Sequence, residues 1–244
     1  MDRSGLAVEA AEMMTDKSGV RMVRREIGGV RITDVRVTPQ AEQRLGKAAG
    51  RYITLEGDPC GDGMAAILRR ALEQVIPARG RLFAAGLGNP DITSDSLGAF
   101  TVRGLAPRRG RKYSLAAIET DIAGRTGLDT AQLVRAAARE IHADCVIAVD
   151  ALSCSAPKYI GRTVQISDRG IVPGSALSPK REGGLRQSEL GRAAVSVGVP
   201  TVTLLSEITG QSGDSGFLVT TADIDVTVKI WADTIAAAIN SIVR

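Results

Sequence analysis

The chain of 244 residues contains one histidine, His142, and three cysteines. A single imidazole cannot supply the two or three histidines of a usual catalytic zinc site. It also leaves a serine or cysteine nucleophile without an evident base, because His142 falls at the end of a predicted helix, where interaction with the carbonyl end accounts for it. Cys60, Cys145 and Cys154 are odd in number and lack metal-ligand spacing, which argues against a disulfide framework and fits a reducing cytosol. Aromatic residues make up only 3%, so the stacking surface of a nucleic-acid platform is missing. The 31 basic residues, set against 27 acidic ones, are scattered or grouped in short runs such as 108–112, which read as solvated loop; direct nucleic-acid binding is not expected. No window reaches the roughly 18 apolar residues of a membrane span. The opening residues, MDRSGLAVEAAEMM, have no long apolar core. A soluble, cytoplasmic protein without a membrane partner is expected.

What is present is 44% hydrophobic residues and 27 glycines, enough for one sizeable α/β domain whose core is built from Ala, Val, Ile and Leu behind many turns. Residues 19–38 (GVRMVRREIGGVRITDVRVT) alternate around Gly28-Gly29 and predict a β-hairpin. Strands are predicted at 51–57, 81–86, 114–118, 145–150, 163–167 and 193–197, with a turn at 123–127. Met64, Ile67, Leu68, Ala71, Leu72 and Val75 form a helical stripe capped by Asp62 and closed by Pro77. A second helix is predicted over 130–142, with Leu133, Val134, Ala137 and Ile141 on its buried face. A third carries Ile224, Val228, Trp231, Ile235, Ile239 and Ile242. Between the strands at 163–167 and 193–197 runs a long loop rich in Gly, Pro and Ser, of a length that is usually functional. Strands alternating with helices predict a three-layer α/β sandwich with a mostly parallel central sheet, because parallel strands need crossover helices.

In such folds the site lies beyond the carboxyl ends of the strands. Two segments put acids there. GLGNPDITSDSLG, residues 86–98, leaves a buried strand and carries Asp91 and Asp95 before a helix; VDALS, residues 149–153, places Asp150 at the end of its strand. If these strands are neighbours, the two carboxylates face one another, one retains a proton, and the other activates water for amide hydrolysis. Asp95 equally fits a helix N-cap, and Asp150 an Asx-turn; the residues alone leave both open. Gly86 and Asn89 of the GLGN turn, with Lys180 and Arg181 of the long loop, are candidate substrate-binding residues. The last two are suited to attract an acidic residue of an extended peptide.

Further strings stand in a fixed order along the chain: LAVEA (6–10), GVRITDVRVT and LGKAAGRYITLE (within 29–56), AGRTGLDT, VDALSCSAPKYIGRTVQISDRGIVPGS (149–175), PKRE (179–182), VGVPTV (197–202) and VTTADID (219–225). Together with GLGNPDITSDSLG, this series resembles the germination protease family of spore-forming Firmicutes nearly from end to end. The resemblance implies a fold similar to that of hydrogenase maturation proteases. It also implies a homotetrameric aspartic-type endopeptidase of the forespore or spore core that begins the degradation of small acid-soluble spore proteins at germination. The family's two catalytic aspartates match Asp95 in SDSLG and Asp150 in VDALS. No cofactor or metal is expected. Family members are zymogens trimmed before the LAVEA-like string, which here would remove residues 1–5 and leave 6–244 as a single peptidase domain. The chain departs from the pattern at Ser155, where the family string has an arginine, and in having only residues 203–218 where the family has a long insert. Two other readings stand beside this one: a metal-assisted protease of the hydrogenase-maturation type with Asp95 and Asp150 as ligands, and an inactive binding protein of the same fold.

Overall fold

The computed structural model describes residues 5–61, 63–172, 184–211 and 216–244. Its strands are β1 (Val20–Ile27), β2 (Val30–Val37), β3 (Gly50–Glu56), β4 (Gly80–Gly86), β5 (Arg108–Arg109), β6 (Tyr113–Glu119), β7 (Cys145–Cys154), β8 (Thr163–Ser167), β9 (Ala193–Leu204) and β10 (Leu218–Val219). They form one sheet in the order β1-β2-β3-β8-β9-β7-β4-β6-β5, with β10 paired to β9. The four central strands, β9, β7, β4 and β6, run parallel, as the alternation of strands and helices predicts. Flanking them is an antiparallel arm, β1-β2-β3-β8, that the strand pattern alone does not order. The hairpin turns at Gly28 and Gly29, both at positive φ, where a side chain would be strained.

The helices are α1 (Ala7–Met13), α2 (Glu42–Leu45), α3 (Met64–Leu72), α4 (Leu97–Arg103), α5 (Ala123–Thr126), α6 (Thr130–Glu140), α7 (Gln187–Leu190), α8 (Leu205–Thr209) and α9 (Ile224–Ile242). Helices α3, α4 and α9 share the larger core on one side of the sheet, while α6 and α7 cover the other side with Phe83, Ala85, Val146 and Ala148 beneath them. The result is three layers. Every residue of the predicted α9 stripe is buried, each such side chain contributing roughly 1.5–3 kcal/mol of hydrophobic transfer. Trp231 satisfies its one polar group by donating its indole N–H to the Gly161 carbonyl at 2.7 Å.

Several boundaries differ from expectation. Of the residues predicted on the inner face of α6, Val134 is buried and Ala137 and Ile141 pack half-buried against the core, while Leu133 is not part of that cluster; Ala131 and Ala138 complete the buried set, small side chains that let the helix lie close to the sheet. Helix α3 ends at Leu72, and Val75 packs on the core from the following turn. The predicted turn at 123–127 contains the short helix α5, closed by Gly127 in the left-handed region. Strands β7 and β9 run on past 150 and 197 and pair along their whole length, with a register shift at Leu152/Ser153. Asp62, expected to cap α3, lies outside the described residues.

The amino-terminal segment is tied across the carboxyl half of the sheet. The Gly5 N–H donates to the Ser153 carbonyl at 2.7 Å, and Gln165 grips both sides of Leu6, accepting from the Ala7 N–H at 2.7 Å and donating to the Gly5 carbonyl at 3.0 Å. From α1, the buried Glu9 carboxylate accepts the backbone N–H groups of Ser155 and Ala156 at 3.1 and 2.7 Å. These contacts pin the segment that follows β7. They also show where Ser155 stands: its amide engages Glu9, and its carbonyl accepts from Thr203 Oγ1 at 3.3 Å.

Candidate active site

Strand β4 pairs in parallel with both β6 and β7, so the carboxyl ends of three adjacent strands open at one edge. Each end leads to an aspartate. Asp150 lies within β7, one residue past the Val149 that pairs with Gly86; Asp95 lies in the segment after β4; Asp121 lies two residues past the end of β6. Alternation along β7 puts Asp150 on the same face as Ala148 and Val146, above the core beneath α6.

The segment after β4 returns sharply. Leu87 extends the ladder by donating to the Val149 carbonyl at 2.8 Å. Gly88 then adopts φ +99°, and a Cβ there would lie 2.1 Å from the Asp95 carbonyl oxygen, so glycine is required. The loop is closed by its own acid: the Asp95 carboxylate accepts the Asn89 backbone N–H at 2.7 Å. From β9, Thr201 Oγ1 donates to the Ser94 carbonyl at 2.6 Å, and Thr120 holds the Gly86 carbonyl through its N–H at 2.9 Å and its hydroxyl at 2.8 Å. Asp95 does not cap α4; the residue preceding that helix is Ser96, which makes no side-chain capping bond. Asp150 makes one local bond, from the Ala151 N–H at 3.0 Å, and sits within a paired strand, not in an Asx-turn loop.

Both carboxyls are raised from the ordinary aspartate value. Burial raises Asp95, as does the nearby charge of Asp121, against the stabilising Asn89 N–H. Asp150, 6% exposed, is pushed up to about 8, first by burial and then by the negative charge of Asp95. A carboxyl buried near a carboxylate keeps its proton to higher pH than a solvated one. Asp95, with its N–H donor, is the better site for the charge; Asp150 is the better site for the proton.

The other predicted residues are placed as follows. Asn89 is buried and organises the loop, its Oδ1 accepting from the Asp91 N–H at 3.0 Å and from Arg125 Nη1 at 3.1 Å. Gly86 lies beneath α4: a Cβ on it would come within 2.2 Å of the Gly98 carbonyl oxygen, and one on Gly98 within 2.3 Å of the Leu87 nitrogen. This glycine pair lets the helix sit directly on the strand ends. Lys180 and Arg181 lie outside the described residues. Two residues that sequence reasoning missed complete the rim: Asp121, and Arg125 from α5, whose Nε lies 3.1 Å from Asp121 Oδ2 and whose Nη1 pairs with Asp91. Asp121 was findable, since it follows a predicted strand at its carboxyl end. Among the described residues no group of three His, Cys, Asp or Glu side chains is arranged to hold a metal ion, and no helix is long and apolar enough to cross a membrane.

A sequence model described as germination protease matches residues 4–219. The germination protease of Bacillus cytotoxicus is 31% identical over an alignment covering 87% of this chain and 66% of that protein. That of Clostridium tetani is 29% identical, covering 87% of this chain and 73% of its own length. The chain thus spans just under two thirds of the length of the Bacillus relative. Among solved structures, the NiFe hydrogenase maturation protease HycI from Thermococcus kodakarensis is similar with a TM-score of 0.40 and 20% identity, covering 69% of this chain and 97% of that one.

Proposed function

The chain belongs to the germination protease family, and from that premise we propose that it is an endopeptidase that begins the degradation of small acid-soluble spore proteins during germination, hydrolysing peptide bonds with Asp95 and Asp150. The observation that carries this reading is the delivery of the two carboxyls by the adjacent parallel strands β4 and β7, close enough for the charge of Asp95 to raise Asp150. In the mechanism, ionised Asp95 takes a proton from a water molecule as it attacks the scissile carbonyl. Protonated Asp150 serves as the acid, and its proton goes to the leaving amine. Asn89, through its backbone N–H, keeps Asp95 the more acidic of the pair. Arg125 neutralises part of the charge of Asp91 and Asp121 at the rim.

The spore-protein substrate, a homotetrameric assembly and a location in the forespore or spore core rest on the family resemblance. So does trimming of residues 1–5 to leave a single domain from Leu6. The grip of Gln165 on both sides of Leu6 means that cleavage there requires the segment to lift from the sheet first. Lys180 and Arg181 are assigned to an acidic residue of the bound chain. Incubating the purified protein with a small acid-soluble spore protein tests the reading: a few discrete fragments are expected, and an intact substrate after residues 1–5 have been removed would overturn it. Sedimentation velocity tests the tetramer separately.

A further inference from the structure

At the amino-terminal end of the same parallel strands, remote from the aspartates, lies a cavity of about 420 Å³ bordered by Arg81, Arg108, Arg109, Ser114 and Ile141. Its chemistry follows from strand register. Ser114 of β6 is the cross-strand partner of Arg81 on β4 and of Arg109 on β5. Directly paired residues project to the same face, so Arg81, Ser114 and Arg109 form a row across three strands. The face is that of α6, because Phe83, two residues beyond Arg81, belongs to the core under that helix, and Ile141 at its C-cap closes the cavity. Arg108, one residue earlier in β5, turns to the opposite face, where its Nη2 donates to the Asn240 carbonyl at 2.7 Å.

None of the three arginines has a carboxylate partner among the described residues. The Arg81 guanidinium is anchored on the Ile141 carbonyl, a neutral acceptor that fixes its direction and leaves its charge in place. Asp144, the acid beside it, accepts the Arg81 backbone N–H at 2.7 Å and forms no ion pair with the guanidinium. Between the arginines, the Ser114 hydroxyl makes no hydrogen bond to any described residue. Two strand spacings separate the Cβ atoms of Arg81 and Arg109, about 10 Å, a span that long side chains close onto one ligand with two acidic groups. We propose that this cavity is a binding site for a small anion carrying two phosphate or carboxylate groups, one held by Arg81 and the other by Arg109, with the Ser114 hydroxyl donating between them. It is independent of the peptidase chemistry, which uses the other end of the strands.

Isothermal titration at constant ionic strength, with pyrophosphate, inorganic phosphate and succinate as probes and chloride as the balancing salt, tests the site. Saturable binding of pyrophosphate or succinate, one per chain, is expected, and whichever binds identifies the acid groups. Inorganic phosphate, which can engage one arginine only, should bind on the order of tenfold more weakly than pyrophosphate. Arg109→Ala on the edge strand β5 and Ser114→Ala, the loss of one hydroxyl within β6, should each weaken binding on the order of fivefold or more while leaving the melting temperature unchanged; Arg24→Ala on the distant hairpin should not. Absence of saturable binding by any probe, or equal affinity in wild type and Arg109→Ala, overturns the proposal.

Discussion

Asp150 is held at about 8 first by its burial and then by the charge of Asp95, which acts on it across the junction of two parallel strands. The proposed mechanism needs one member of the pair ionised and the other protonated. Proteolysis should therefore fall as the pH rises through about 8, where Asp150 loses its proton. A profile of kcat/KM against pH that stays flat from 7 to well above 9 would be inconsistent with this pair.

The same shift makes Asp150 a stability liability. Its folded pKa lies above the value of an unfolded aspartate, so between about pH 4 and about 8 the folded state binds more protons than the unfolded state, and stability declines as the pH rises across that window. Asp150→Asn removes the titration. The variant should match wild type near pH 4 and exceed it above pH 8 by at least about 2 kcal/mol. Melting curves across that range check the sign.

Arg125 lies against Asp121, whose charge adds to burial in raising Asp95. Replacing it with Gln exposes Asp95 to the uncompensated field of Asp121, so the acid limb of the activity profile should move to higher pH. Arg125 is 41% exposed, which makes the effect small and screened by salt. A shift that persists unchanged at high salt, or one toward lower pH, would contradict the assignment.

Glycine at positions 86 and 98 is demanded by the contact between α4 and the strand ends. Gly98→Ala puts a methyl group 2.3 Å from one backbone atom and 2.6 Å from another, and should cost more than about 3 kcal/mol in urea denaturation. An ordinary loss of a few tenths would show that the helix can slide away without penalty.

Much of this architecture was legible in the residues. The α9 stripe and the Gly28-Gly29 hairpin each carry a period that only one element satisfies, the apolar runs of β4 and β7 have the short length of buried strands, and the two aspartates stand where parallel strands place ligand sites. What was not legible depends on register between distant segments. No local pattern reveals that β8 returns antiparallel to join β3 to β9, that small Ala131 and Ala138 rather than Leu133 face the sheet from α6, or that Gly86 is spent on packing against Gly98. Asp95 and Asp150 read locally as a cap and a turn residue. Their alternative roles are excluded by the Asn89 bond and by the pairing of β7, both of which are tertiary facts.

The N-terminal strap offers a further check. Glu9 is buried and accepts two backbone N–H groups beside β7. Glu9→Ala leaves those donors without their carboxylate and should lose about 2–4 kcal/mol, with early proteolytic cutting of the segment around α1; Glu9→Gln should retain part of the loss. Equal stability of wild type and Glu9→Ala would show that the strap contributes nothing.

The central claim is that Asp95 and Asp150 together perform the hydrolysis. Digestion of a small acid-soluble spore protein by wild type, Asp95→Asn and Asp150→Asn, each shown to be folded by circular dichroism, tests it most directly. Both variants are expected to lose at least about a thousandfold in cleavage rate while wild type cuts at a few defined bonds; a folded Asp95→Asn or Asp150→Asn variant that cleaves at the wild-type rate would contradict the account.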